Sequence, residues 1–355
     1  MAAYTAVDDP TAYFKVQLYT GNGSTNAITF NDTDTNMQPD WVWLKNRNSS
    51  GHDHFLFDAV NGVQKFLSSN DTGALAAADS SYLTAFNTDG FTLGSSDGMN
   101  ENTITFVSWN WKAGGSGSTN NDGDTASTVS ASATTGFSIV QHSGSGGATT
   151  IGHGLGVAPK IVLSKRTNSA NPWIFQQNII GGSFTSSNYL VFNTGVAAAS
   201  SSTIVNSVSS STISFAGADD WVNASGSTYI HYVFAEKQGY SKFSSYKGNG
   251  NADGAFVYTG FKPAMIISKK TSGTSDWIIW DNKRDGYNET LKRVYPNDPA
   301  NEESSATQGV DFLSNGFKLR GTNSNAWNAS GGNYIYMAFA ESPFVNSNGV
   351  PNNAR

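Results

Sequence analysis

Cysteine is missing from the chain altogether, which removes disulfides, thiolate metal sites and cysteine nucleophiles at one stroke. Stability must then come from burial and from subunit contacts. Charge is also scarce: 14% of the 355 residues are charged, about half the usual share. The formal net charge of -6 is spread along the chain, so the basic footprint that phosphate binding requires is absent and nucleic acid is not an expected partner. No apolar run reaches 18 residues, and the opening Met-Ala-Ala-Tyr-Thr-Ala-Val-Asp-Asp lacks the basic start and apolar stretch of a signal peptide. Neither membrane insertion nor secretion by that route is expected, and the composition suits folding in a cytoplasm.

Glutamate is confined to Glu101, Glu236, Glu289, Glu302, Glu303 and Glu341. No Glu-x-Asp-x-x-Glu arrangement places two carboxylates on one strand for glycan hydrolysis, and neither a Gly-x-Ser-x-Gly elbow nor a His-Glu-x-x-His helix occurs. The expectation is a protein that is not an enzyme and carries no cofactor. In place of charge stand Ser, Thr, Asn and 37 glycines, a mix that favours strands and turns over helices. With 38% hydrophobic and 12% aromatic residues the chain can still bury ordinary cores.

Those residues are arranged in a repeat. His142, Gly146, Pro159, Lys165, Trp173, Asn193 and Ile213 are matched by Tyr246, Gly250, Pro263, Lys269, Trp277, Asn297 and Phe317, each pair 104 apart. An earlier copy carries Tyr19-Thr-Gly-Asn-Gly23, Pro39, Lys45, His54 to Asp58, Asn70 and Gly90-Phe91 at slightly different internal spacing, as loop-length changes produce. The reading is an all-β chain of three tandem antiparallel β-sandwich, jelly-roll-like repeats: 14–112, 135–237 and 238–344, with a docking segment at 1–13 and a tail at 345–355.

Within each unit, Trp41-Val-Trp43, Ile161-Val-Leu163 and Met265-Ile-Ile267 are continuous apolar runs that predict a strand covered on both faces. Residues 113–134 are Gly, Ser, Thr, Asn and Asp with little else, and read as a linker; a flexible coil of that length spans about 25 Å, enough to hold the first unit apart. Ala/Ser-rich loops recur at Ala74–Ser81, Ala197–Ser211 and Ala300–Thr307 and are expected at an edge, where variation costs the core least.

Several motifs admit two readings. Gly21-Asn-Gly23, Gly144-Ser-Gly146 and Gly248-Asn-Gly250 look like phosphate loops, but none precedes a helix and none is followed by Lys-Ser/Thr, so tight hairpin turns using positive φ are the better account. His52, His54 and Asp58 have metal-ligand chemistry, yet the other units place Trp and Gln or Asp there, so the scaffold does not need a metal. Asn31–Asn36 and Asn120–Asp124 offer oxygen donors for calcium, without the glycine and terminal glutamate of an EF-hand in the first; solvated turns are preferred. The tryptophans could stack sugars, but repetition in every unit favours core packing. Aligning the closing strands by their last residues puts Trp109 with Phe234 and Phe339, and Trp111 with Glu236 and Glu341, which predicts a rim position for Trp111.

The opening Asp8–Gly23, then Gln38–Arg47, Leu56-Phe-Asp-Ala-Val-Asn-Gly62 and Tyr334–Glu341 resemble a repeated domain of uncharacterised virion structural proteins from marine tailed bacteriophages. The likeness covers residues 8–344, and the second unit departs from it at Gln176-Gln-Asn-Ile-Ile-Gly181. It implies no catalytic residues. It implies a virion location and a tail-fibre or receptor-binding role by multivalent adhesion, with other virion proteins, further copies of the chain and a host-surface glycan or protein as partners. A decoration or fibre subunit that binds only virion proteins is the alternative, and a carbohydrate-binding module a second one. The charged stretch Lys283 to Glu303 differs most from its counterparts, which makes Lys283, Arg284, Tyr287, Lys292, Arg293 and Tyr295 the candidate partner or receptor contacts.

Overall fold

The computed structural model describes residues 5–30, 35–49, 51–184, 189–322 and 326–353. Side chains alternate across a strand with period two, so an uninterrupted apolar run requires a partner on each face. That requirement is met three times. In Trp41–Asn46, Trp41 and Trp43 enter one hydrophobic cluster while Val42 and Leu44 enter another. In Ile161–Arg166, Ile161 and Leu163 face the first of these clusters and Val162 a third. In Phe261–Lys270, Met265 and Ile267 again face the first, and Ile266 a fourth.

The strands form the same pattern in each unit. A four-stranded sheet orders Phe14–Thr20, Thr105–Trp111, Trp41–Asn46 and Phe55–Asp58 in the first unit. The third unit repeats it with Ser241–Lys247, Asn333–Pro343, Phe261–Lys270 and Trp277–Asp281. The second does so with Phe137–Ser143, Thr228–Phe234, Ile161–Arg166 and Ile174–Gln177, inside a seven-stranded sheet. Opposite each lies a three-stranded sheet: Asn26–Ile28, Gly90–Leu93 and Leu83–Asn87; Thr149–Gly152, Thr212–Phe215 and Val205–Val208; Asp253–Tyr258, Gly316–Arg320 and Val310–Leu313. The strands pair antiparallel throughout these sheets, and the fold is all-β. Each three-stranded sheet closes a small core of its own against its four-stranded partner. The remaining faces of the three inner sheets converge on one shared cluster.

That shared core changes the status of residues 113–134. They do not span a gap. Ser118–Asn120 and Ser127–Ser132 are strands that extend the second unit's inner sheet through pairing with Phe137–Ser143. The composition misleads because Ser and Thr serve as strand residues here: Val129 enters the second unit's core, and the Ser127 hydroxyl donates to the Gly152 carbonyl at 2.9 Å. The first unit is therefore packed against the other two.

Two further expectations are corrected. Register pairs Trp41 with Trp111, Ile161 with Phe234 and Met265 with Phe339, so Trp111 is equivalent to the two phenylalanines and not to Glu236 and Glu341. It is 1% exposed, in the shared core, with its ring 5.4 Å from Phe339 and 4.5 Å from Trp41. Strand ends are not equivalent between units, because the closing strand of the third unit runs on to Pro343. The Gly-x-Gly turns are not hairpins either. Each carries the chain from an inner strand to the opposite sheet, as Thr20 to Asn26 does in the first unit. Gly23, Gly146 and Gly250 do use positive φ, and Gly21, Gly144 and Gly248 are needed because a Cβ would lie 2.1, 2.2 and 2.3 Å from a backbone oxygen.

Of the amino-terminal segment, the described residues dock on the same chain. Ala6 N donates to the Gln238 carbonyl at 2.9 Å, Val7 is buried in the shared core, and Asp8 accepts from Ser347 N at 2.7 Å, tying the segment to the tail.

Candidate functional site

The inner strands each carry a lysine two residues beyond the second core residue, on the face that points to the neighbouring unit. Lys45, Lys165 and Lys269 hold one register position, opposite Val107, Ile230 and Ile335. All three are fully buried. A buried ammonium needs acceptors, and each finds a carbonyl across a unit boundary. Lys165 Nζ donates to Thr72 O in the first unit at 3.1 Å, Lys269 Nζ to Gly195 O in the second at 3.2 Å, and Lys45 Nζ to Pro299 O in the third at 3.1 Å. Desolvation pulls each from its ordinary 10.5 to about 8, against the opposing pull of nearby aspartates.

The pattern closes on itself, which defines a pseudo-threefold ring within one chain. A second set of bonds follows the same cycle. Trp173 Nε1 donates to Ser68 O at 2.8 Å, and Trp277 Nε1 to Val191 O at 3.4 Å. In the third place His54 Nε2 lies 3.0 Å from Tyr295 O. Because His54 Nδ1 accepts from Trp43 Nε1 at 2.9 Å, the proton of the neutral ring sits on Nε2. Burial pushes the His54 pKa well below the usual imidazole range, with Lys45 adding to the effect. Asn70, Asn193 and Asn297 fix these rings by accepting from the backbone N–H of His54, Trp173 and Trp277 at 2.8, 2.9 and 2.8 Å.

The Ala/Ser-rich loops supply a third set, so they are clasps and not free edges. Leu75 N donates to Thr167 O at 2.9 Å, Ala198 N to Thr271 O at 3.2 Å, and Glu302 N to Arg47 O at 2.9 Å. Around this ring the three boundaries differ in chemistry. Between the first two units, Asp58 accepts from Tyr232 Oη at 2.8 Å. Burial raises the Asp58 pKa, opposed chiefly by donation from Asn61 N. Between the third and first, Asp281 accepts from Trp109 Nε1 at 3.2 Å and from Arg284 Nε at 2.6 Å. Arg47 forks onto Glu302 there at 2.9 and 3.0 Å.

This arrangement places the six candidate contact residues unequally. Arg284 is buried against Asp281 with its guanidinium 5.7 Å from the Trp109 ring centre, and is no surface contact. Arg293 is buried as well, donating to Tyr295 Oη at 2.7 Å and to Glu303 at 2.8 Å. The carbonyl of Tyr295 is engaged by His54. Lys283 and Tyr287 are exposed, Tyr287 at 79%, and Lys292 is half-buried beside Asp285. The charged stretch is thus divided between a boundary it fills and a short accessible turn.

The other motifs have structural employment. His54 and Asp58 are engaged as described, and His52 Nε2 lies 4.0 Å from Glu101. Among the described residues no group of three His, Asp or Glu side chains could hold a metal ion. Residues 31–34 of the first calcium candidate lie outside the described residues. In the second, Asp122 N donates to Asn120 Oδ1 at 2.9 Å and Asp124 Oδ2 accepts from Thr150 Oγ1 at 2.8 Å, which pins the turn to the outer sheet.

Sequence reasoning missed one triad completely. Asn100, Asn223 and Asn328 are fully buried and clamp the Gly-x-Gly corners. Their Oδ1 atoms accept from Asn22 N, Ser145 N and Asn249 N at 3.1, 2.9 and 2.9 Å, and their Nδ2 groups donate to Ser24 O, Gly147 O and Asn251 O at 2.6, 2.7 and 2.8 Å. The signal is present in the sequence as the repeated Asn223-Ala-Ser225 and Asn328-Ala-Ser330. Beyond these clamps Asn22, Ser145 and Asn249 are exposed, so the ring presents three uncharged polar tips at equivalent positions.

Among the described residues no helix is long and apolar enough to cross a membrane. No curated protein and no solved structure matches the chain. Residues 9–343 match the family described as a domain of unknown function, DUF7483, and the chain belongs to that family.

Proposed function

We propose that the chain is a non-enzymatic structural protein of a tailed-phage particle, of the tail-fibre or receptor-binding type, acting by multivalent adhesion. The observation that carries this reading is the closed ring. Its repeated lysine, tryptophan and asparagine landmarks are engaged in holding units together, while three polar tips recur at equivalent positions around one axis. Weak contacts repeated on a rigid frame gain avidity without any strong single site. Association of several copies would multiply the effect, and the partners proposed are other virion proteins and a host-surface glycan or protein.

A decoration or fibre subunit that binds only other virion proteins is the second reading. The burial of Arg284 and Arg293 favours it, because it removes half of the charge from the expected receptor contact. The test is to look for the chain in purified particles by mass spectrometry, then ask whether recombinant protein blocks adsorption of those particles to cells. Presence with blocking supports adhesion. Presence without blocking supports decoration, and absence from particles overturns both.

A further inference from the structure

Two grooves open at equivalent unit boundaries. One, of about 480 Å³, lies between the first and second units; the other, of about 600 Å³, lies between the second and third. Both volumes fall within the ordinary range for small-ligand sites. Their linings correspond by register: Asn61 with Ile180, Thr167 with Thr271, and Thr228 with Asn333. In the first groove the strands of residues 118–132 extend the floor, with Thr119, Thr128 and Gln141 side by side across the sheet.

The third boundary shows what closes such a groove. Arg284 stands where the first groove has Asn61, Glu302 where it has Leu75, and Arg47 where it has Thr167. These three side chains join, Glu302 meeting Arg47 at 2.9 Å and Arg284 at 3.6 Å. The ion-paired trio fills the position that is open at the other two boundaries.

Among the described residues, neither open groove is lined by a carboxylate, although Asp and Glu outnumber Lys and Arg by 27 to 21 in the chain. Each instead holds one exposed lysine, Lys65 in the first and Lys247 in the second, among hydroxyl and amide groups. We propose that these two grooves bind an acidic saccharide chain. Thr, Ser, Asn and Gln meet its hydroxyls, and the lysine ammonium meets one carboxylate or sulfate in each groove. The inference rests on the adhesion reading and names the ligand class for it.

Isothermal titration of the full chain with a polyuronate oligomer (alginate) tests it, with dextran as the neutral control. Two sites per chain are expected, weakened at least threefold between 0.05 and 0.5 M salt, with dextran binding at least tenfold weaker (order-of-magnitude expectations for one screened charge pair per site). Lys65→Ala and Lys247→Ala each remove one site, and the double variant removes both, while Lys112→Ala, outside both grooves, leaves both intact. Both lysines are exposed, so circular dichroism of the variants should match the parent. Absent polyuronate binding, or binding that survives the double variant, overturns the proposal. Dextran binding as tight as polyuronate binding overturns its acidic part. A chain that is found in particles and blocks adsorption, yet binds no polyuronate, refutes the ligand assignment and leaves the adhesion reading standing.

Discussion

The Lys165 ammonium donates across the boundary of two units to the carbonyl of Thr72, which also accepts from Asn171 N at 2.8 Å. A lysine held this way is more costly to fold when charged. The ordinary pKa of 10.5 applies to the unfolded chain and about 8 to the fold, for Lys165 as for Lys45 and Lys269. Between those values the unfolded state binds more protons, so stability rises with pH, by about 1.4 kcal/mol per pH unit for each lysine. Buried tyrosines such as Tyr240 oppose this only above their ordinary value of 10.0. Urea midpoints should therefore increase from pH 8 to 9.5. Lys269→Met should reduce that slope by about a third, because Gly195 O keeps its bond from Ser275 N at 2.8 Å. A slope unchanged in this variant would refute the assignment.

The histidines act in the same direction in a lower pH window. Ser164 Oγ, His231 Nδ1, His231 Nε2 and His142 Nδ1 form a buried chain with steps of 2.8 and 3.0 Å. Desolvation lowers His142 from 6.5 to about 4 and also holds His231 well below its ordinary range, with His142 contributing there. A depressed histidine contributes stability above about pH 6.5 that is lost as pH falls towards 4, on the order of 3 kcal/mol for His142. The third unit has Tyr246 and Tyr336 in these two places. His142→Tyr with His231→Tyr should flatten the stability profile between pH 6.5 and 4.5, measured by thermal melts across that window. An equally steep acid loss in the double variant would place the sensitive group elsewhere, with His54 the next candidate.

Much of the fold could be read from the sequence because the repeat preserved its landmarks. The Trp41-Val-Trp43 run announced a strand with two apolar faces, and both faces are buried. What could not be read was the partner of the second face. A strand buried by an opposing sheet and one buried by another unit have the same pattern, so the sequence does not display the shared core, and the composition of residues 113–134 reads as a spacer. Lys45, Lys165 and Lys269 held the missing information. A lysine repeated inside an apolar strand signals a buried acceptor, and in a chain of three units that acceptor can come from the neighbour. The candidate contact loop failed in part for the same reason, since Arg284 and Arg293 are charged through pairing and not through exposure.

Trp111 separates the two architectures directly. At a rim, its replacement would change stability by no more than about 0.5 kcal/mol. At the axis, where its ring lies 4.9 Å from Phe14 and 5.4 Å from Phe339, Trp111→Ala should cost about 3–5 kcal/mol. The loss should lower one cooperative melting transition for the whole chain, because Phe14 and Phe339 belong to different units. Calorimetry that shows two transitions, with the third unit unaffected, would contradict a shared core.

The last prediction concerns a unit alone. Residues 14–112 include Trp41, Trp43, Trp109 and Trp111, all within the shared cluster and each 1% exposed or less. Aromatic rings bury roughly 150–250 Å² apiece. Removing the other two units would uncover a contiguous apolar face larger than the few hundred Å² that soluble monomers ordinarily carry. The Lys45 ammonium would lose Pro299 O, and the His54 Nε2 proton would lose Tyr295 O. Expressed by itself, this segment should therefore associate or precipitate, and size-exclusion chromatography with light scattering reads the outcome. A monomer with native near-ultraviolet circular dichroism would show that the first unit completes its own core. The intact chain has no need of such association at this face, because its three unequal copies already meet there, and their inequality leaves two boundaries open and one filled.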